Sequence, residues 1–568
     1  MVAASNEFDV VVLGAGAGGM AAAVVAATEG LKVCLLEKTE HVGGTTAWSG
    51  GMVWAPLSSP AKKNAGFKDT KGDVARYLEG VVPGSRGEPR MAAFLNTIPN
   101  ALDYFERHTL VKFRPLSEYP DYYQELDGCS VSGRVLEPEP FNSTNLGAHL
   151  RDLRLPLPEF ALFSDMMVAR EDLSHFQNVF RSIRSFGKVG ALLSRYAYQK
   201  IRWGRGVDLV LGNALAGRLY AAVLEAGITV RMGEQVSNLQ RGGLGRVDGV
   251  ELLGGETISA RQGVVLATGG FTGNLRLREK YLAQGMGNYS ATAPGALGDG
   301  LHLAVSAGGT FSQVRDGNAF LAPVSRYTRP DGSLAVFPHT VSDRAKPGLI
   351  AVDNRGERFV NEAISYHEFG RALLSHQNTN GPEKAFAWLI ADSRFVWEYG
   401  LGALKPKNLN KKYLVAIGYL LEGSNLSDLT QKLELPPGSL EDTVSCYNGS
   451  AAQGLDPQFG RGGNAYERFL GDSQNKPNPC VAPIQRAPYF AIRVEVGDLA
   501  AAGGVNTDAS SRVMDESGNF IPGLYACGAD AKSIMEGNYP GPGITLGPAL
   551  AFGFSAAMNI ASSTKNAC

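Results

Sequence analysis

The stretch Asp9–Glu37, DVVVLGAGAGGMAAAVVAATEGLKVCLLE, decides the fold. Asp9 to Leu13 is an apolar run of strand length. Gly14, Gly16 and Gly19 then complete G-x-G-x-x-G, with Gly18 inside the loop, and Met20 to Glu29 is Ala-rich and helix-forming. Strand, glycine loop and helix in this order open a dinucleotide-binding fold. Gly14 permits the tight turn, Gly16 lets a pyrophosphate approach the backbone, and Gly19 lets helix and strand pack closely. The helix N-terminus faces the phosphate charge. A second strand, Leu31 to Leu36, leads to Glu37, 18 residues beyond Gly19, near the spacing of about 20 at which an acid accepts hydrogen bonds from a ribose. The uncharged run Val10 to Ala27 has the length of a membrane span, but its glycine turn makes it a buried strand entering a helix.

The rest of the chain agrees with a large, close-packed α/β protein. Glycine makes up 70 of 568 residues, about 12% against a usual 7% or so, with neither a collagen period nor a disordered composition. The length implies two or three domains or one large discontinuous one. Lys+Arg number 54 and Asp+Glu 55, a balance that disfavours a nucleic-acid partner. The six cysteines are dispersed, with no CxxC and no Cys/His cluster, so no metal site is expected and a reducing compartment fits. The first residues lack a basic segment and a cleavage site, which points to the cytoplasm.

After Glu37 and Lys38 comes a segment that a nicotinamide-binding domain does not need. In KTEHVGGTTAWSGG, Gly43, Gly44, Gly50 and Gly51 offer backbone N–H groups, and Thr45, Thr46 and Ser49 offer hydroxyls, for phosphates and a flavin ring. GVVLATGGF (Gly263–Phe271) reads as a strand ending at Gly269 and Gly270, and GLYACG (Gly523–Gly528) as a late strand ending beside Asp530.

These features resemble the FAD-binding family that holds fumarate reductase flavoproteins and 3-ketosteroid dehydrogenases. The resemblance implies non-covalent FAD, since no His replaces the threonines of GGTTAWSGG. It implies Asp530 near the ribityl chain or pyrophosphate, unless that acid only caps a turn, and Leu546 at the flavin. It also implies a Rossmann-type FAD domain in two parts, 1–290 and 485–568, with an α+β catalytic domain, 291–484, roofing the flavin. The switch points are placed at APGALGDG (Ala293–Gly300) and NKPNPCVAP (Asn475–Pro483).

Within the roof, Gly348 to Val352 and Glu357 to Val360 read as two strands about a turn, leading to Asn361 and Glu362. Fumarate reductases resemble this segment but place an arginine proton donor five residues past the Asn. This chain has Tyr366 there, the pattern of 3-ketosteroid Δ1-dehydrogenases. PDYY (Pro120–Tyr123) resembles that subfamily's tyrosine site, with Tyr122 the better match and Tyr123 structural. YPGPG (Tyr539–Gly543) resembles its ketone site.

The implied chemistry is C1–C2 desaturation of a 3-ketosteroid or sterol ketone. Tyr539 and the Gly543 N–H polarise the C3 oxygen, Tyr366 removes the C2 proton, and the C1 hydride goes to flavin N5. Tyr122, donating to the Tyr366 oxygen, favours its charged form. An external electron acceptor completes the cycle. The alternatives are a 4-ene (5α) dehydrogenase, a fumarate-reductase-like enoate reductase and a flavin-binding membrane scaffold without turnover.

An insertion, about 155–206, stands apart. Its part from Leu173 to Gly206 holds seven basic residues (Arg181, Arg184, Lys188, Arg195, Lys200, Arg202, Arg205) and no acidic one. Leu173, Phe176, Phe180, Ile183, Phe186, Val189, Leu193 and Tyr196 recur at helical spacing. Such a basic amphipathic helix, with Trp203 at the interface, suits an anionic membrane surface on the inner face of the cell membrane. The other reading is a helix packed on its own protein or on a second subunit.

Overall fold

A computed structural model describes residues 6–63, 67–163, 165–177, 179, 182–378 and 385–565. The opening stretch forms the strand Glu7–Leu13, the helix Ala17–Thr28 and the strand Val33–Glu37. The helix begins at the glycine loop, three residues before its expected start, because Gly18 and Gly19 are already inside its first turn. Val10–Leu13 runs parallel to Val33–Leu36 on one side and to Gly263–Leu266 on the other. The sheet is extended in parallel by Phe520–Ala526 and Thr229–Met232, and has eight strands among the described residues. Both faces are covered, so its central strands are apolar throughout rather than alternating.

The helix Ala17–Thr28 is buried from Ala17 to Ala26. It lies between the sheet and the long C-terminal helix Leu546–Lys565. That packing depends on small residues. A Cβ on Gly553 would stand 2.6 Å from the Gly18 carbonyl oxygen, and one on Gly19 would stand 1.9 Å from that of Gly14.

The roof is a six-stranded antiparallel sheet in which Ala319–Thr328 and Phe386–Asp392 flank the long strand Tyr489–Ala501. The domain limits drawn from the sequence need correction at both ends. The APGALGDG segment leads into the helix Asp299–Ser306, whose Leu301, Leu303 and Ala304 pack with Leu266 and Leu524 of the FAD-domain sheet. The chain therefore enters the roof between Ser306 and Ala319, not at 291. It leaves after Ala501, not at 484, since Tyr489–Ala501 is a central roof strand. The expected return strand Glu357–Val360 is reduced to one bridge, Val352 to Arg358, because Arg358 turns into a buried ion-pair network with Glu362 and Asp456.

The insertion forms a short helix, Leu173–Gln177, and a longer one, Ile183–Trp203, ended by Gly204 with φ +75°. Phe180 and Arg181 lie outside the described residues. The single apolar stripe is also corrected. Val189, Leu193 and Tyr196 face the protein, and Tyr196 donates to Asp165 at 2.5 Å. Ile183, 92% exposed, and Ile201, 88% exposed, form with Phe186 and Tyr198 a second face turned outward. Arg205 is no surface cation: it is buried and donates to the Leu150 and Leu153 carbonyls. No helix among the described residues is long and apolar enough to cross a membrane.

Candidate active site

One cavity runs from the glycine loop to the tyrosines. At its first end, Gly14 has φ +100° and leaves no room for a side chain, since a Cβ would stand 2.2 Å from the Ala267 oxygen. Gly16 differs. It caps the helix without a side chain and meets only the Thr46 hydroxyl, 4.0 Å from where a Cβ would be. The Gly16 backbone is open on this side, while the first helical N–H, that of Ala17, donates to the Thr46 hydroxyl at 3.1 Å. Glu37 is buried and accepts from Ala15 N, Thr39 N and the Thr39 hydroxyl, each at 2.9 Å.

Gly14, Gly16, Gly18, Glu37, Lys38, Gly44, Thr45, Thr46, Ser49, Gly50, Gly51, Gly269 and Leu546 all reach the cavity wall. Four expected residues stand behind it. Gly19 packs helix against strand, as its role requires. Gly43, with φ +109°, ends a turn against Ala47 and Ala216. Gly270 donates to Asp530 at 2.9 Å. Asp530 is only 1% exposed, and both its oxygens are taken by Thr268 and Gly270. It acts as a clamp on the Thr268–Gly270 turn, while Gly528 and Ala529 reach the wall in its place. Lys38 is paired with Asp299. A helix N-terminus at a bare glycine, Gly16, and a long cleft lined by backbone and hydroxyls fit FAD.

At the other end stand Tyr122, Tyr366 and Tyr539. They come from distant parts of the chain, and each lines the cavity. The Tyr122 and Tyr366 hydroxyls are 3.1 Å apart. Tyr366 meets Tyr539 edge-on at 5.2 Å between ring centres, and Tyr122 stacks on Tyr539 at 5.6 Å. Burial pushes the Tyr366 phenol well above its ordinary pKa, and the neighbouring Tyr539 adds to this, while the Tyr122 hydrogen bond pulls it down. Burial raises Tyr122 and Tyr539 as well.

Local structure explains how these groups are held. The Tyr122 N–H donates to the Pro540 carbonyl at 3.0 Å, joining PDYY to YPGPG directly. Beneath them, buried Asp121 accepts from Trp54 Nε1 at 3.1 Å and pairs with Arg134 at 2.7 Å. Gly543 has φ +90°, and a Cβ there would stand 2.4 Å from the Met52 oxygen, so the position is closed to side chains even before a ligand is considered. Tyr366 opens the helix Tyr366–Asn378, which packs on the roof strand Ala319–Thr328. Besides the Tyr122–Tyr366 bond, that helix is tied to the FAD domain by Tyr123 to Glu368 at 2.6 Å and by Arg371 to Asn538 at 3.1 Å and to the Gly537 carbonyl at 3.2 Å. Glu362 is fixed by Arg358 and Arg461, and Asn361 by Glu467, so both hold the loop before the tyrosine.

Several site residues were missed. Tyr466 lies against Tyr122 at 4.7 Å and carries no motif to betray it. Tyr119 lines the cavity three residues before Tyr122, a position from which it could have been suspected. Ala293, read only as part of a domain switch, and Thr292 just before it line the cavity too, and Ala293 N donates to Thr45 at 2.9 Å.

Residues 9–546 match the FAD binding domain family. The 4-oxocyclohex-2-ene-1-carboxylate 5-dehydrogenase of Sinomonas cyclohexanicum is 38% identical over 559 residues, covering 97% of this chain and 93% of that protein. The 3-oxosteroid 1-dehydrogenase of Mycobacterium tuberculosis is 36% identical over 577 residues, 98% of each chain. Among solved structures, 3-ketosteroid delta1-dehydrogenase from Sterolibacterium denitrificans, in complex with 1,4-androstadiene-3,17-dione, superposes with a TM-score of 0.90 at 34% identity, covering 98% of this chain and 100% of that one.

Proposed function

The chain belongs to the FAD binding domain family, and from that premise we propose that it is an FAD-dependent 3-oxosteroid 1-dehydrogenase. The observation that carries this reading is the 3.1 Å contact of Tyr122 with Tyr366, set against Tyr539 at the cavity wall. The glycine loop, Glu37 and the Gly44–Gly51 segment would hold FAD, which when bound would supply the hydride acceptor.

The protein's own groups then do the following. Tyr539 O–H and Gly543 N–H donate to the C3 oxygen and stabilise the negative charge that grows there as C2 loses its proton. Tyr366 takes that proton. It is a weak base at neutral pH in so buried a site, and the Tyr122 hydrogen bond stabilises its charged form. The apolar enclosure keeps water from the reacting carbon. A tyrosine rather than an arginine at position 366 disfavours a fumarate-type reductase.

The test is anaerobic addition of androst-4-ene-3,17-dione to the holoprotein, with the product's double bond located. Bleaching of the flavin and a new C1–C2 double bond are expected. A C4–C5 product would assign it to the 4-ene dehydrogenases, and a flavin that never bleaches would make it a scaffold. 4-Oxocyclohex-2-ene-1-carboxylate, run in parallel, decides between a steroid and a single-ring ketone.

The reading extends to location. Sterol ketones partition into lipid, and the outward face of Ile183, Phe186, Tyr198 and Ile201, flanked by Arg184 and Arg202, suits an anionic headgroup layer on the cytoplasmic side of the membrane. An external acceptor reoxidises the flavin.

A further inference from the structure

Each of the three site tyrosines has a neighbour in a second polar layer. Tyr123 follows Tyr122, Glu368 and Arg371 stand in the first two turns of the helix that Tyr366 opens, and Asn538 precedes Tyr539. None of these four reaches the cavity wall. They meet one another instead. The Tyr123 hydroxyl donates to Glu368 Oε1 at 2.6 Å, the same oxygen accepts from Arg371 Nη1 at 3.2 Å, and that nitrogen also donates to Asn538 Oδ1 at 3.1 Å.

The layer is closed at its far end as well. Arg371 Nη2 donates to the Gly537 and Asp316 carbonyls at 3.2 and 3.3 Å, and Asn538 Nδ2 donates to Asp316 Oδ2 at 2.8 Å. The Glu368 and Arg371 side chains are 29% and 27% exposed, and an ion pair so placed adds little to the stability of its own helix. What sets this pair apart is its reach. Glu368 holds the PDYY segment and Arg371 holds the residues that lead into YPGPG.

The contacts on which the proposed proton transfer depends cross between these same three segments. Tyr122 and Tyr366 are 3.1 Å apart at their hydroxyls, and Tyr366 meets Tyr539 at 5.2 Å between ring centres. A displacement of about 1 Å can cost a positioned group roughly a hundredfold in rate. We propose that Tyr123, Glu368, Arg371 and Asn538 form a clasp that positions Tyr366 against Tyr122 and Tyr539, so that the spacing of the base and its neighbours is set from behind the cavity. This rests on the dehydrogenase reading above and deepens it. The four are positioning residues, since none lines the cavity in which the ketone would react.

Charge alone predicts something different. Tyr366 is faced by the phenols of Tyr122, Tyr539 and Tyr466. Glu368 is faced by Tyr123 and Arg371, and Arg371 by Glu368, by Asn538 with the Asp316 carboxylate beyond it, and by His367, which burial and the arginine's own charge hold neutral. If Glu368 and Arg371 acted only through their charges, losing the anion would ease ionisation of Tyr366 and losing the cation would hinder it. Losing either half of a clasp loosens the same bond, and both losses hinder it.

The experiment follows kcat and KM against pH for the holoenzyme with androst-4-ene-3,17-dione, as wild type, Glu368→Ala and Arg371→Ala, alanine being the residue a helix accepts best. Both variants should move the alkaline limb upward by about half a unit, read as roughly a threefold loss of kcat near pH 7 that shrinks as pH rises. KM and the flavin spectrum should stay near wild type. In a Tyr122→Phe background, where the bond is already gone, neither change should move the limb further. Shifts of opposite sign, a loss independent of pH, or a shift that persists undiminished in the Tyr122→Phe background overturns the clasp and leaves the dehydrogenase reading standing. Should an alanine variant fail to hold flavin, Tyr123→Phe, which removes one hydroxyl at the same junction, carries the same expectation and is overturned by the same results. A wild-type flavin that the ketosteroid never bleaches removes the dehydrogenase reading, and the clasp with it.

Discussion

The Tyr122 hydroxyl stands 3.1 Å from that of Tyr366 in a site where burial raises both phenols. On the proposed reading, a base that is hard to ionise is paired with a hydrogen-bond donor that eases its ionisation. Replacing Tyr366 by Phe should lower turnover by roughly 10²–10⁴-fold, the usual contribution of a positioned base. The yellow FAD should remain bound, since Tyr366 lies at the tyrosine end of the cavity. Stopped-flow flavin reduction on adding substrate checks this; reduction at the wild-type rate would remove Tyr366 from the reaction.

Tyr122→Phe should act through pH. Tyr366 must lose its proton to work, burial and Tyr539 move that loss upward, and the Tyr122 bond moves it back. Activity should therefore rise with pH into the alkaline range. The variant's limb should lie about one unit higher, with a tenfold loss of kcat/KM near pH 7 that shrinks as pH is raised. A loss independent of pH would mean that Tyr122 only fills space.

At Gly543 the backbone is the functional part. With φ +90° and the Met52 oxygen 2.4 Å from the place of a Cβ, Gly543→Ala should cost about 1–3 kcal/mol of local strain and displace the N–H that faces the ketone. Thermal unfolding should show a lower Tm together with a fall in kcat. Unchanged kcat in a folded variant would argue against the N–H as a donor.

Asp530 offers a test of clamp against ligand. Asp530→Asn keeps the shape but forfeits acceptance from one of the two N–H groups, Thr268 or Gly270, because they donate to different oxygens. Flavin should be lost more readily on gel filtration, by about tenfold in affinity, while the absorption spectrum of what stays bound should match wild type. An altered flavin spectrum would instead place the acid against the cofactor.

The outward face of the insertion makes the membrane reading testable by contrast. Ile183→Asp with Ile201→Asp should abolish sedimentation with vesicles containing anionic lipid and leave kcat for a soluble ketone intact, because both residues are fully outside the packed face. Vesicle binding that survives both changes would leave the helix with a packing role alone.

The FAD-binding half of this fold was legible because its constraints are local. The strand, the glycines at 14, 16 and 19 and Glu37 all lie within one short stretch; Gly14 and Gly19 have a steric reason that the structure repeats in distances, and Glu37 is held by backbone N–H groups. Tyr122, Tyr366 and Tyr539 could be picked out only by the strings around them, since a tyrosine in a core and a tyrosine in a site look alike. Tyr466 had no such string. The amphipathic helix was misread in one respect: spacing showed that Ile183 and Val189 sit in a helix, but which side meets the protein depends on Asp165 and Asp208, acids outside the basic segment that draw Lys200 and Arg195 to them. Domain limits failed for a related reason, as loops rich in proline and glycine mark turns without saying which sheet receives the next strand.

The bond from Tyr122 N to the Pro540 carbonyl has a consequence for timing. On the proposed reading, it joins the donor that tunes the base to the loop carrying the donors to the ketone, while Tyr366 sits on the roof helix Tyr366–Asn378. Were the roof to lift, Tyr366 would part from Tyr122 and, on the proposed reading, lose the donor that favours its charged form. On the proposed reading, proton abstraction is confined to the arrangement in which PDYY, YPGPG and the roof helix meet.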